Sequence, residues 1–362
     1  MAILHADPQP SMGFDRYLSF CASQVHPLQT DFDGARIQVT QRGETLLAAQ
    51  CEVLPDTGVL SRIRPGPGRE LTDAAVLAML EALSAHYPHW RRIGFSDAAA
   101  EFPVQALVRR GVVRDDGHGL HCLIAMLWQL PELWLADAGS NGYPLSYAMT
   151  QGKRHPLRPP KPVGTVYARY IPWLRQVLSF RVESLDEDLD RFHAWMNDPR
   201  VAEFWQEAGD LNKHRTYLQA LLDDPHMIPL AGCLDGVPFA HFEIYWAKEN
   251  RIAPFYDAAD HDRGWHALVG DDRYRGRAIL TSWFPSILHL QFLDDARTQR
   301  VMGEPQSNHD RQISNLDRAG FAKVKEFDFP HKRALLVMLL RERFFGEHLY
   351  GPTAALLREL MR

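Results

Sequence analysis

The stretch Gly264-Trp265-His266-Ala267-Leu268-Val269-Gly270, followed by Asp272-Arg273-Tyr274-Arg275-Gly276-Arg277-Ala278-Ile279-Leu280, reads as a short strand, a basic turn and the start of a helix. From Arg273 to Ala278 the turn has the spacing Arg-x-x-Gly-x-Ala. That spacing suits a pyrophosphate. Gly276 lets the backbone approach the phosphates, the small Ala278 avoids a clash, and the first N–H groups of the new helix point at the anion. The helix dipole adds partial positive charge at the same end, and Arg273, Arg275 and Arg277 add full charges.

The rest of the chain bounds what such a turn can belong to. At 362 residues the chain is long for a single core and implies two domains. Its 46% hydrophobic and 23% charged residues describe a globular protein. The net charge of −5 excludes a general nucleic-acid binder, so an anionic ligand must meet a local basic patch. The cysteines Cys21, Cys51, Cys122 and Cys233 are scattered, with no Cys-x-x-Cys pair, which implies a reducing compartment and no cysteine-type zinc site. No histidine pair at helical spacing with an acidic third ligand stands out either, so no metal is expected. Residues 1–8 lack the profile of a secretory signal, and no apolar run reaches membrane-spanning length; the best candidate, Leu123 to Leu135, is interrupted by Gln129, Pro131 and Glu132. These readings imply a cytoplasmic protein with no membrane or nucleic-acid partner.

Gly-, Pro- and Ser-rich residues between 140 and 165 suggest a linker. The expected division is an N-terminal domain over 1–150, a linker over 151–170 and a catalytic domain over 171–362. In the first half, a hairpin is expected over 35–53, helices over 71–87 and 101–109, and an apolar strand over 121–129. In the second, the expected elements are a strand at 178–182, helices at 186–197 and 212–222, and a hairpin over 228–246 about Asp235-Gly236. The strand–turn–helix above follows, then a strand at 300–303, a helix at 310–318, and two apolar segments marked by Phe327 and Phe329 and by residues 334–340. The halves share this rhythm. Leu107-Val108-Arg109-Arg110-Gly111-Val112 parallels Leu316-Asp317-Arg318-Ala319-Gly320-Phe321, which hints at duplication. The first half has no Arg-x-x-Gly-x-Ala turn.

Five blocks in the second half carry a resemblance. They are His193-x-Trp195-Met196-Asn197-Asp198-Pro199-Arg200-Val201 with Phe204-Trp205; His241-Phe242-Glu243-Ile244-Tyr245-Trp246; Gly264 to Gly270 running into Tyr274-Arg275-Gly276; Gly303-Glu304-Pro305; and Ala319-Gly320-Phe321. In this order they resemble the GNAT acyltransferases, and more narrowly the branch that acylates hydroxylated amines in hydroxamate siderophore biosynthesis, over about 175–345. The resemblance implies an α/β (α+β) fold, a central mixed sheet flanked by helices, preceded by a degenerate GNAT-like domain. It implies an acyl-CoA cosubstrate, acetyl-CoA by default, and a hydroxylamine acceptor: N6-hydroxylysine, N5-hydroxyornithine or a hydroxylated diamine. A siderophore synthetase is the partner it suggests.

By the same resemblance, the thioester carbonyl meets backbone N–H groups near Leu268 and Val269, and the diphosphate sits on Arg273, Arg275, Gly276, Arg277 and Ala278. A hydroxylamine is far less basic than an alkylamine and is largely neutral near pH 7, so a base is needed mainly for the proton released during attack. His266 is the candidate base or relay, with Glu304 as its partner or as the base itself. His241 and Glu243 alternate on a strand, share a face and are placed at the acceptor, as is Tyr245. Trp246 is read as a wall for an aliphatic chain and Lys248 as the partner of an α-carboxylate. Many GNAT proteins carry an asparagine early in the helix that ends at the Gly-Phe turn; here Asn308 or His309 takes that place. Two rivals stand beside this reading. Asp257, Asp260, Asp262, Asp271 and Asp272 make an aminoglycoside acceptor conceivable, and a non-catalytic scaffold for a synthetase is the alternative of another class.

Overall fold

The computed structural model describes residues 13–96, 104–115, 117, 119–138, 142–330 and 332–362, and the chain forms two compact units. One holds the residues up to Trp134 together with Pro352–Arg362; the other runs from Leu135 to Gly351.

In the first unit, β1 (Phe14–Ser19), β2 (Leu28–Phe32), β3 (Arg36–Gln41), β4 (Glu44–Val53) and β5 (Gly58–Pro65) form an antiparallel meander. Helix α1 (Asp73–His86) returns the chain to β6 (Arg92–Phe95), parallel to β5, and α2 (Val104–Arg109), β7 (Val113–Asp115) and β8 (Leu120–Leu123) complete the sheet. The order is β1-β2-β3-β4-β5-β6-β8-β7. The expected hairpin and first helix are both present, and Thr72 caps α1 by accepting from the Ala75 N–H. The N-terminal end expected for the second helix, 101–103, lies outside the described residues. The apolar run expected as a strand over 121–129 changes form at Leu123: α3 (Ile124–Leu127) follows β8 directly. A short apolar run does not by itself separate strand from buried helix.

The second unit opens with a hairpin, β9 (Tyr147–Thr150) and β10 (Lys153–Pro156). Its main sheet comprises β11 (Thr165–Ile171), β12 (Gln176–Val182), β13 (Met227–Leu234), β14 (Val237–Trp246), β15 (Arg263–Val269), β16 (Arg300–Gly303), β17 (Ala322–Asp328) and β18 (Arg333–Leu340). Helices α4 (Leu185–Met196), α5 (Pro199–Trp205) and α6 (Leu211–Asp223) lie between β12 and β13; α7 (Arg277–Asp294) joins β15 to β16; α8 (Asp310–Arg318) precedes β17; α9 (Arg341–Gly346) follows β18. A last helix, α10 (Ala354–Leu360), belongs to the first unit. The segment read as a linker, 151–170, therefore contains a strand of the small hairpin and most of β11. Pro156 ends β10, and Pro159, Pro160 and Pro162 fall in the irregular 157–164, where they interrupt regular structure.

The main sheet has the order β11-β12-β13-β14-β15-β16-β18-β17, which is the order of the first sheet element for element. In each, one pair alone is parallel: β5 with β6, and β15 with β16. The two glycine-ended helices also close alike. Val112 N–H bonds the Leu107 carbonyl and Gly111 N–H that of Val108, as Phe321 bonds Leu316 and Gly320 bonds Asp317. The first unit thus repeats the main sheet of the second without α4–α6, since β2 turns directly into β3.

Two features of β15 shape the site. It pairs with β14 along its whole length but with β16 only at Arg263 and Gly264, so past Gly264 the two strands part. At Gly264 a Cβ atom would fall 2.3 Å from the Tyr245 ring, so only glycine lets that tyrosine lie across β15. Gly264→Ala is expected to destabilise the protein by about 1–3 kcal/mol through overpacking and to lower activity by displacing Tyr245; chemical denaturation and turnover of the same variant check both.

Candidate active site

His241, Glu243 and Tyr245 alternate along β14 and so share one face of the sheet. Glu243 lies directly opposite His266 on β15, and His241 opposite Leu268. Glu304 follows the last residue of β16. Helices α4–α6 cover this face, with Phe192, Met196, Val201 and Leu218 packed on Leu268, and Trp195, Trp205 and Tyr217 against them.

These residues form a chain of alternating carboxylates and imidazoles. His266 Nδ1 is 2.8 Å from Glu243 Oε2 and its Nε2 is 2.9 Å from Glu304 Oε1. Glu243 reaches on to His241 Nε2 at 3.5 Å, and His241 Nδ1 lies 2.8 Å from Glu183 Oε2. Two phenols complete it: Tyr217 donates to Glu243 at 2.6 Å and Tyr245 to Glu304 at 3.0 Å. His266 is the exposed member, with 24% of its side chain accessible, whereas Glu304 is at 1% and His241 at 0%.

The charge states follow from this packing. Burial alone would lower the pKa of His266, but the Glu304 and Glu243 carboxylates outweigh it and raise it to about 9. Burial likewise opposes charge on His241, and Glu183 and Glu243 raise it to about 10. Burial would raise Glu304; His266, with Lys332 and Arg251, brings it down to about 2. Glu243 is held well below the usual carboxylate range, its burial overcome by bonds from both histidines. A neutral imidazole can donate to only one of two flanking carboxylates, so the geometry holds His266 as an imidazolium that loses its proton only at alkaline pH.

The basic turn is arranged as a cradle. Gly276 begins α7 with φ 114° and ψ 172°, a backbone region that favours glycine, and no side chain caps the helix there. Arg273 is 79% exposed and paired with Asp271; Arg275 approaches Asp272, and Arg277 is exposed at the first helical position. The Ala278 carbonyl accepts from Trp173. Leu268 is core, so only its backbone is available to a ligand, and the Val269 carbonyl accepts from Arg200. In the first unit the corresponding helix start is closed by Thr72.

Three expectations change. His241, expected at the acceptor, has no exposed surface and bonds Glu183 and Glu243. Trp246, expected as a wall for an aliphatic chain, points to the face opposite His241, Glu243 and Tyr245, with the guanidinium groups of Arg158 and Arg263 at 4.2 and 4.0 Å from its ring. Lys248 donates to the Ala258 carbonyl at 2.6 Å. Glu183 and Tyr217 join the site without a sequence signal of their own. Glu183 precedes the acidic first turn of α4 and reads as part of it, and Tyr217 reads as one more apolar position of α6. At the start of α8, His309 accepts from the Gln312 N–H and packs on Phe204, while Asn308 is exposed.

Residues 184–329 match the acetyltransferase (GNAT) domain family. An N(6)-hydroxylysine O-acetyltransferase of Escherichia coli is 42% identical over 221 residues, 61% of this chain and 70% of that protein. The chain belongs to the GNAT acyltransferases, in the branch of the hydroxamate siderophore enzymes. A Schizosaccharomyces pombe member provisionally named a lysine N-acyltransferase is 46% identical over 60% of this chain and 65% of its own length. An N(5)-hydroxyornithine:cis-anhydromevalonyl coenzyme A-N(5)-transacylase of Beauveria bassiana is 44% identical over 58% of this chain. This GNAT chain therefore spans between about half and seven-tenths of these relatives, the Beauveria protein being matched over 47%. No helix among the described residues is long and apolar enough to cross a membrane, and no cluster among them could hold a metal ion.

Proposed function

We propose that this protein transfers an acyl group from coenzyme A to the hydroxylated nitrogen of an amine, giving a hydroxamate by direct attack in a ternary complex. The observation that carries the reading is the placement of His266. It is the accessible member of a buried proton-holding chain and stands on the strand whose far edge opens past Gly264. The pantetheine arm runs along that open edge, backbone N–H groups near Leu268 and Val269 polarise the thioester carbonyl, and the diphosphate rests on Arg273–Ala278 at the uncapped start of α7. When the hydroxylamine nitrogen attacks, it sheds a proton; His266 in its imidazole form takes it, with Glu304 holding the resulting imidazolium. The leaving group is the coenzyme A thiolate. Acetyl-CoA is the donor the reading favours, a siderophore synthetase consumes the product, and the site of action is the cytoplasm.

The alternatives lose their support at named residues. Of the aspartates that made a polycationic aminoglycoside conceivable, Asp262 is paired with Arg300, Asp271 with Arg273 and Asp272 with Arg200, and Asp260 accepts from Tyr147. A scaffold has no use for an uncapped helix start flanked by exposed arginines.

The test is a matrix of acceptors (N6-hydroxylysine, N5-hydroxyornithine, N-hydroxycadaverine, kanamycin) against acyl-CoA donors, read by thiol release and mass spectrometry. A ferric colour reaction separates N- from O-acylation, because only the hydroxamate offers two hard oxygens to Fe³⁺. Thiol release with a hydroxylamine and a ferric-binding product is expected; no release with any acceptor overturns the reading. Gly276→Ala is expected to raise the KM for acyl-CoA by about tenfold or more, since a side chain there costs about 1–3 kcal/mol of strain at the phosphate contact, while the KM for the acceptor changes little. Initial rates with each substrate varied in turn check this.

A further inference from the structure

Outside the carboxylate–imidazole chain, two cations converge on Glu304. Arg251 stands in the turn after β14, 51% exposed, with a guanidinium nitrogen 3.7 Å from Glu304 Oε1. Its Cζ lies 5.4 Å from the centre of the Phe329 ring, and Lys332 Nζ lies 5.6 Å from the same ring. Lys332 donates to the Glu304 main-chain carbonyl at 2.7 Å. The turn beneath Arg251 is fixed: Glu249, Asn250 and Ile252 are buried, and Lys153 donates to the Glu249 and Asn250 carbonyls.

The guanidinium itself is not fixed. At 3.7 Å its contact with Glu304 is too long for a hydrogen bond, and among the described residues its five N–H groups make none. Glu304 is already engaged by His266 and Tyr245. Arg251, Lys332 and the His266 imidazolium thus surround one carboxylate, which leaves positive charge in excess at the mouth of the site and a planar fork open to solvent. That fork matches a carboxylate bidentately. Lys248, the residue whose sequence position suggested this task, is engaged elsewhere.

We propose that Arg251, supported by Lys332, is the receptor for a carboxylate carried by a substrate several bonds from the reacting centre. The inference rests on the acyl-transfer reading above. The carboxylate has two sources: the α-carboxylate of an amino-acid acceptor, or the distal carboxylate of a dicarboxylic acyl group.

The experiment crosses N6-hydroxylysine and its decarboxylated counterpart N-hydroxycadaverine with acetyl-CoA and succinyl-CoA, for wild type, Arg251→Gln and Arg251→Lys. The readout is a ratio of kcat/KM values, in which any general loss from disturbing Glu304 cancels. One ratio in the wild type, hydroxylysine over hydroxycadaverine or succinyl-CoA over acetyl-CoA, is expected to exceed unity by about 10- to 100-fold, and which one identifies the source. Arg251→Gln should bring that ratio close to one, and Arg251→Lys should keep part of it. A wild type indifferent to the carboxylate in both comparisons, or a preference that survives Arg251→Gln, overturns the proposal. Calorimetric titration of the same four compounds reads the preference without turnover. If no combination yields product, the acyl-transfer reading fails, while the loss or persistence of the binding preference in Arg251→Gln still decides the role of this residue.

Discussion

Replacing His266 by glutamine is expected to lower kcat by about 100- to 10,000-fold, the usual contribution of a positioned acid–base group, while the KM for acyl-CoA stays close to that of the wild type. The donor is held by the turn and by main-chain groups of β15, which the substitution leaves in place. The pH dependence carries the sharper information. Below about 9 the clamped ring is an imidazolium and has no lone pair to offer. The wild-type kcat/KM should therefore rise with pH and level off above about 9, a good way above the range of an unperturbed histidine. Glu243→Gln removes one of the two carboxylates that raise the ring's proton affinity, so the rise should move to lower pH. A wild-type profile that is flat from about pH 6 to 9, or a midpoint that Glu243→Gln leaves unmoved, rules out the ring as the proton acceptor.

The second large effect is on stability. His241→Ala strips the shared partner from Glu183 and Glu243, both buried, and leaves two carboxylates around a hole. Breaking a buried pair in this way costs about 3–5 kcal/mol. The pKa of His241 is raised in the fold to about 10 from 6.5, so its contribution is complete below 6.5 and disappears as pH rises through about 10. That of Glu243 is lowered from 4.5, so its contribution is complete above 4.5 and fades as pH falls toward its depressed value. The difference between wild type and His241→Ala should be largest between about pH 4.5 and 6.5 and should shrink toward pH 10. Urea denaturation across that range tests it. Adding Glu183→Gln to His241→Ala should restore part of the loss if unpaired charge is the cause, and none of it if the cavity is.

Much of this site is legible from spacing. Period-two alternation places His241, Glu243 and Tyr245 on one face, and the same rule sets Trp246 on the other, where it packs against two arginines. The strand at 300–303 and the helix at 310–318 have the boundaries their sequence implies, because each is bounded by a glycine or a polar cap. Other features have no local signal. Glu183 joins the site through the pairing of β12 with β13 and of β13 with β14, a contact made by register across the sheet. Strands β1, β2 and β11 are not among the elements expected from the sequence; pairing with their neighbours defines them. The repeat between halves is visible in sequence in the rhythm of elements and at two short Gly-ended helices; the matching strand order emerges from topology.

No single cut divides this molecule into its two halves. Pro352–Arg362, with α10, belong to the first unit although they end the chain. A fragment begun at residue 135 to isolate the second unit would carry α10 without the rest of the unit it belongs to. Excision at both 134 and 351 is the design that respects the fold.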